Sequence, residues 1–122
     1  MEQRLTTHPF DYSSLLARWG KERADAKALA ERLVSEVKTL AVPVCRGFGA
    51  TRVVLFGSLV AGRAREASDV DLVVLGTAPG DFWRLRAALE EALHRNVDLH
   101  TEADDAAFVD KMMRRGLLLD ER

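Results

Sequence analysis

The pattern of apolar and polar positions predicts one amphipathic helix followed by two buried strands. Over residues 21–40, apolar residues recur every three or four positions between charged ones, which is typical of a helix with one buried face. Those apolar positions are Leu29, Leu33, Val37 and Leu40. Pro43 lies just past the expected end of this helix. Two runs rich in β-branched residues, TRVVLF at 51–56 and VDLVVL at 70–75, then predict strands.

The second half of the chain continues to alternate helix and strand. Asp81 can cap a helix over 82–94, and the segment NVDLH at 96–100 predicts a third strand. Thr101 and Asp104 have the spacing of a capping box for a helix near 103–115.

Two shorter segments and the overall order complete the fold prediction. Small and basic residues over 59–67 indicate a helical turn followed by a loop, and Leu117–Leu119 is either a last short strand or a packed tail. The order helix, strand, turn, strand, helix, strand, helix predicts an α/β fold in which helices flank a small sheet.

The first twenty residues differ from the rest, because Pro9, Gly20 and a Ser-Ser pair interrupt them. We therefore separate an irregular or short-helical segment, 1–20, from a domain at 21–122. The segment is rich in large apolar side chains: Phe10, Tyr12, Leu15, Leu16 and Trp19. It is either a short helix folded on the core, the commoner arrangement, or a docking surface for a partner.

Composition narrows the class of protein. A chain of 122 residues with 48% hydrophobic and 30% charged residues is typical of one globular domain. Its net charge of −1 disfavours strong non-specific binding to nucleic acid, which requires many cations on phosphates. The single cysteine, Cys45, excludes an internal disulfide. With neither a signal peptide nor an apolar stretch long enough to cross a membrane, we expect a cytoplasmic protein without membrane association.

Three aspartates occupy strand positions where carboxylates are unfavourable. Asp69 and Asp71 flank Val70 at the start of a strand, and Asp98 lies inside NVDLH. Because side chains alternate along a strand, Asp69 and Asp71 share one face. Asp98 joins them if its strand is their neighbour, about 4.8 Å away. Oxygen ligands of this kind suit Mg²⁺ or Mn²⁺.

A second element, Gly57-Ser58, directly follows the first strand. Glycine allows the backbone to approach a phosphate closely, and the N-terminus of a helical turn offers N–H groups to an anion. A phosphate cradle beside a carboxylate cluster is suited to metal-assisted transfer of a nucleotide. The alternatives are ordinary ones: Ser58 as a helix cap, and the aspartates as a turn cap with an arginine partner.

These residues resemble a known family. Gly57-Ser58, ten further residues and then Asp69-Val70-Asp71 reproduce the G-S-x10-D-x-D signature of the DNA polymerase β-like nucleotidyltransferases. The stretch VVLFGSLVAGRAREASDVDLVVL, followed by VDLH at 97–100, is similar to the minimal nucleotidyltransferase branch.

The resemblance implies a fold, an activity and a partner. It implies the polymerase β-like fold and the transfer of AMP from ATP to a hydroxyl, with Asp69 and Asp71 as ligands of the metals. Asp98 would be the third metal ligand and a general base, and Gly57 and Ser58 would hold the β- and γ-phosphates.

Small members of this branch are commonly antitoxins of HEPN-type RNase toxins. They neutralise the toxin by binding, and some adenylylate a toxin tyrosine, so an antitoxin that binds without required catalysis is a second alternative. The catalytic subunit of a two-subunit small-molecule nucleotidyltransferase is a third alternative. Self-association is left open.

Several other side chains have less certain roles. Many relatives carry an arginine soon after the Gly-Ser pair, where this chain has Leu59, Val60 and Ala61, so Arg63 and Arg65 are the candidates for phosphate contact. His100 can lie on the same side as Asp98, but a surface or packed histidine is the commoner situation. The two tryptophans, Trp19 and Trp83, are interpreted as core or partner contacts.

Overall fold

The structure is a computed structural model that describes residues 12–122. Within these residues, three α-helices and four strands follow one another, with a short 3₁₀ turn at Pro79–Asp81 before the second helix. The elements are α1 (Tyr12–Gly47), β1 (Arg52–Phe56), β2 (Val70–Leu75), α2 (Phe82–Leu93), β3 (Val97–His100), α3 (Ala106–Arg115) and β4 (Leu117–Glu121).

The four strands form one mixed sheet in the order β3-β2-β1-β4. Strand β1 pairs antiparallel with both β2 and β4, whereas β2 and β3 run parallel. Helix α2 makes the crossover that a parallel pair requires. The predicted α/β fold, a small mixed sheet flanked by helices, is confirmed, and residues 117–121 form a strand and not a packed tail.

The two faces of the sheet are covered differently. Side chains of α1 and α2 pack on one face against alternate residues of β1 and β2, including Val53, Leu55, Leu72 and Val74. Val54 and Val73 alternate with these and are buried on the opposite face, over which α3 lies. Asp71 is two residues from Val73, so it belongs to the α3 face.

Helix α1 is longer than predicted at both ends. It passes through Pro43 and ends at Gly47, because Ala41 and Cys45 on either side of the proline are fully buried. The packing of these last turns outweighs the hydrogen bond that proline removes. Arg46 adds a bidentate contact to Asp120 of β4, with Nε 2.8 Å from Oδ2.

The other end of α1 corrects the prediction only for residues 12–20 of the segment 1–20. Residues 12–20 are neither irregular nor a separate short helix folded on the core, since they continue α1 without a break at Gly20. Tyr12, Leu16 and Trp19 are 63%, 59% and 46% exposed. Phe10 lies outside the described residues. The alternative of a docking surface stays a prediction.

Helix α3 begins later than predicted. Asp105 caps it, accepting a hydrogen bond from the N–H of Phe108 at 3.1 Å. The predicted pair of Thr101 and Asp104 still forms, since Asp104 accepts a hydrogen bond from the Thr101 N–H at 2.8 Å, but it closes the turn before α3.

Asp81 occupies the N-cap position of α2 and pairs with Arg84 instead of capping through its side chain. None of the helices in residues 12–122 has both the length and the apolar character needed to cross a bilayer.

Candidate active site

The site residues meet because three strands begin or end at one edge of the sheet. Strand β1 ends there at Phe56, and Gly57 follows it directly. Phe56 is paired with Asp71, the second residue of β2. Asp71 is in turn paired with Asp98, the second residue of β3. Asp98 therefore lies beside Asp71 and on its face, as the alternation along neighbouring strands predicted.

The three carboxylates are close enough to repel one another. The pKa of Asp71 is raised above its usual range, first by burial and then by the negative charges of Asp98 and Asp69, while His100 partly offsets the shift. Asp71 is half-buried, and the Asp98 side chain is 60% exposed. Within residues 12–122, no three His, Cys, Asp or Glu side chains already form a compact metal-ligand group. The carboxylates form an open row of negative charge.

Gly57 brings the backbone against this row. Its φ of +85° is a conformation that favours glycine. A Cβ atom at this position would overlap Asp71 Oδ2 and lie 3.1 Å from Asp71 Cγ. Any residue larger than glycine at position 57 would therefore displace the Asp71 carboxylate from its place beside Asp69 and Asp98.

One helical turn follows Gly57, as predicted. The N–H of Ala61 donates to the Gly57 carbonyl at 3.1 Å, and the N–H of Arg63 donates to the Ser58 carbonyl at 2.9 Å. In the described part of the chain, the N–H groups of residues 58–60 make no backbone hydrogen bond, so they are available to an anion.

His100 faces the site, a position the sequence left as the less common alternative. Its Nε2 lies 3.3 Å from Asp98 Oδ1, and its Nδ1 is buried 3.5 Å from Asp104 Oδ1 without forming a hydrogen bond. The ring packs between Phe56 and Phe108, with centroids 5.7 Å and 4.8 Å away. It is a packed histidine that also contacts a site carboxylate, because residues 98 and 100 share a face.

The two arginines are not brought to the carboxylates. Arg63 and Arg65 line a groove of about 960 Å³ between α1 and the segment 59–65. Among the described residues, neither side chain forms a hydrogen bond or ion pair with the three aspartates. A role in phosphate binding stays a prediction for both.

A pocket of about 540 Å³ adjoins the carboxylates on the side of β3. Asp69 and Asp98 belong to its lining, together with Trp83, Arg86 and Asn96. Trp83 is 71% exposed, so it is not a core residue, and Trp19 is exposed as well. Sequence reasoning missed this pocket. The only signal was a large aromatic side chain at the start of a helix.

Comparisons with known proteins show the family to which the chain belongs. The family model described as "Nucleotidyltransferase domain" matches residues 31–117. A protein of Methanocaldococcus jannaschii named "Putative protein adenylyltransferase" is 34% identical over 71 residues, which are 56% of this chain and 76% of the relative.

Two solved structures share the fold. One is described as a "putative minimal nucleotidyltransferase", with 33% identity, a TM-score of 0.60 and coverage of 72% of this chain and 93% of the other. The second is a toxin–antitoxin crystal structure with AMP-PNP, with 23% identity, a TM-score of 0.62 and coverage of 70% and 73%. The latter likeness is one of fold alone.

The signature residues thus lie together at one sheet edge, inside a segment that matches the family model over most of the chain. The chain belongs to the nucleotidyltransferase domain family and is itself a nucleotidyltransferase.

Proposed function

We propose that this nucleotidyltransferase transfers AMP from ATP to a tyrosine hydroxyl of a cognate HEPN-type RNase toxin, and so acts as an antitoxin. The observation that supports it most is the pairing of Asp71 with Asp98 beside Gly57. The pairing places two carboxylates next to a backbone segment that a phosphate can approach closely. Transfer of a nucleotide from a triphosphate uses both features.

Asp69, Asp71 and Asp98 are the residues that would hold Mg²⁺ or Mn²⁺. Their oxygen donors suit these ions, and a bound cation would favour the ionised form of Asp71, whose pKa is raised by burial and then by the charges of Asp98 and Asp69. When bound, the metal ions neutralise phosphate charge and orient the triphosphate. Gly57 and Ser58 would hold the β- and γ-phosphates through the backbone N–H groups of the turn.

The chemistry that follows is a single displacement. The acceptor hydroxyl oxygen forms a bond to the α-phosphorus, and the bond from that phosphorus to the oxygen shared with the β-phosphate breaks. Pyrophosphate leaves with the electron pair of the broken bond. Asp98, the most exposed of the paired carboxylates, takes the hydroxyl proton and passes it to water.

The nature of the acceptor is supported by similarity. A 34% identical relative is named as a protein adenylyltransferase, and the fold is shared with a toxin–antitoxin crystal structure that contains AMP-PNP. The name of the relative suggests a protein acceptor, and the shared fold is compatible with a nucleotide donor.

Label transfer tests the proposal directly. The purified protein is incubated with α-labelled ATP, Mg²⁺ and the product of the adjacent gene. We expect label on a tyrosine of that product and loss of its RNase activity. The Asp69→Asn/Asp71→Asn double variant should transfer none, because neutral amides cannot balance the metal charge. Intact protein that transfers no label to any hydroxyl of the neighbour would overturn the proposal.

Neutralisation by binding alone is the second candidate, and the exposed row of Tyr12, Leu16 and Trp19 on α1 favours it. The same double variant separates the two candidates. If it still silences the RNase, catalysis is not required. If it binds the toxin but no longer protects against it, binding alone is excluded.

The third alternative, a small-molecule nucleotidyltransferase subunit, makes a different prediction about the neighbouring gene product. That protein would have no RNase activity, and AMP would appear on a small molecule instead.

A further inference from the structure

The order of strands gives the site two distinct sides. Along the edge, the turn at Gly57-Ser58 follows β1, Asp71 lies on β2 and Asp98 on β3, and the pocket lined by Trp83 and Arg86 lies beyond Asp98. The turn and the pocket therefore flank the carboxylates from opposite directions. We use the name acceptor-side pocket for this cavity, whose lining includes Asp69, Phe82, Trp83, Arg86, Val97 and Asp98.

The acceptor-side pocket presents a firmly held aromatic surface. Phe82 contacts the Trp83 ring edge-on, with centroids 4.9 Å apart, and the Arg86 guanidinium carbon lies 5.8 Å from the Trp83 centroid. Arg86 is itself fixed by donating from Nε to the Val97 carbonyl at 3.1 Å. Trp83 nevertheless remains mostly exposed, and a tryptophan held in this way is typical of a contact surface.

Displacement at phosphorus requires the attacking and leaving oxygens to be roughly in line. With the β- and γ-phosphates at Gly57-Ser58, pyrophosphate leaves toward β1, and the hydroxyl must approach from the side of β3. We propose that the acceptor-side pocket receives a phenolic side chain of the acceptor, which stacks on Trp83 and directs its hydroxyl toward Asp98. This assignment rests on the proposed function and adds the place where the acceptor binds.

The chemistry of the pocket favours a phenol over an aliphatic hydroxyl. A flat indole and a guanidinium both stack well on another aromatic ring. A phenol ionises near a pKa of about 10, so a carboxylate base can take its proton far more readily than that of an alcohol.

Tryptophan fluorescence provides a test that does not depend on activity. The chain has two tryptophans, so Trp19→Phe leaves Trp83 as the sole reporter. The variant is titrated with N-acetyl-tyrosinamide, with N-acetyl-serinamide and, separately, with a non-hydrolysable ATP analogue plus Mg²⁺. We expect a saturable change in Trp83 emission with the tyrosine compound only. A change caused by the ATP analogue alone would assign the pocket to the nucleobase and overturn the proposal.

Kinetics provide the second test, with Arg84→Ala as the matched control on the same helix turn. In AMP transfer to a tyrosine peptide, Trp83→Ala should raise KM for the peptide roughly tenfold and leave KM for ATP unchanged, and Trp83→Phe should restore most of the affinity. Equal peptide KM values for Trp83→Ala and Arg84→Ala would refute the assignment. If unaltered protein transfers no AMP, the proposed function fails, whereas the fluorescence titration still decides the assignment of the pocket.

Discussion

Asp71 and Asp98 lie directly opposite each other on two parallel strands, with their side chains on the same face of the sheet. Like charges in this arrangement repel each other, and the pKa of Asp71 is raised first by burial and then by the negative charges of Asp98 and Asp69. The metal ions proposed for this site would relieve the repulsion between the two carboxylates. The pairing therefore allows the roles of the two carboxylates to be separated by experiment.

Replacing each aspartate alone should affect different steps. Asp98→Asn removes the proposed base, so we expect the rate of AMP transfer to fall at least about 100-fold while ATP with Mg²⁺ still binds. Asp71→Asn should lose both binding and transfer, because it is the carboxylate closest to the turn at Gly57. Calorimetric titration with a non-hydrolysable ATP analogue, together with single-turnover transfer, measures both. Full transfer by Asp98→Asn would contradict its role as a base.

Gly57→Ala should weaken nucleotide binding more than it weakens the fold. The new methyl group would overlap the Asp71 carboxylate, and the positive φ adds roughly 1–2 kcal/mol of backbone strain. Gly62→Ala is the matched control, because Gly62 has a similar φ of +73° but no atom within 4 Å of a Cβ. Thermal unfolding should show similar losses of stability for both variants. Only Gly57→Ala should lose affinity for the ATP analogue, and equal affinities would refute the displacement of Asp71.

The sequence was sufficient to predict which aspartates lie together at this edge of the sheet, because the signals for their positions are local. Asp69, Asp71 and Asp98 interrupt apolar strands, and the period of two along a strand decides which residues share a face. By the same rule, Asp98 lies on the same face of the sheet as Asp71 if its strand is the neighbour of β2. A parallel β2–β3 pair connected by α2 satisfies that condition.

Features that depend on distant contacts were not predictable in this way. The continuation of α1 through Pro43 follows from burial of Cys45 against the rest of the domain, which a helix propensity does not encode. The sequence around Trp83 did not indicate a pocket, because the start of α2 and strand β3 are brought together only in the folded protein. The placement of Arg63 against α1 likewise depends on how far α1 extends beyond the sheet.

Gly116→Ala and Gly20→Ala should change stability in opposite directions. A Cβ at Gly116 would collide with a Val54 methyl group and approach the Met112 carbonyl oxygen to 2.7 Å, so we expect a loss of about 1–3 kcal/mol. Gly20 lies inside α1 with no atom within 4 Å of a Cβ, so alanine there should stabilise by roughly 0.5–1 kcal/mol. Urea unfolding of both variants measures the two effects. A stabilised Gly116→Ala variant would show that α3 and β1 are less closely packed than described.

Cys45 should be unreactive in the folded protein and should make stability depend on alkaline pH. Burial, reinforced by the negative charge of Asp120, raises the pKa of its thiol from 9.0 to about 12. Between about pH 9 and 12 the unfolded chain therefore releases a proton that the folded chain retains, so the free energy of unfolding falls as pH rises, by about 1.4 kcal/mol per unit. Iodoacetamide at neutral pH should modify the thiol only after denaturant is added. Urea unfolding across this pH window should show a steeper decline for the unaltered protein than for Cys45→Ala, and parallel declines would mean that the thiol ionises in the folded state.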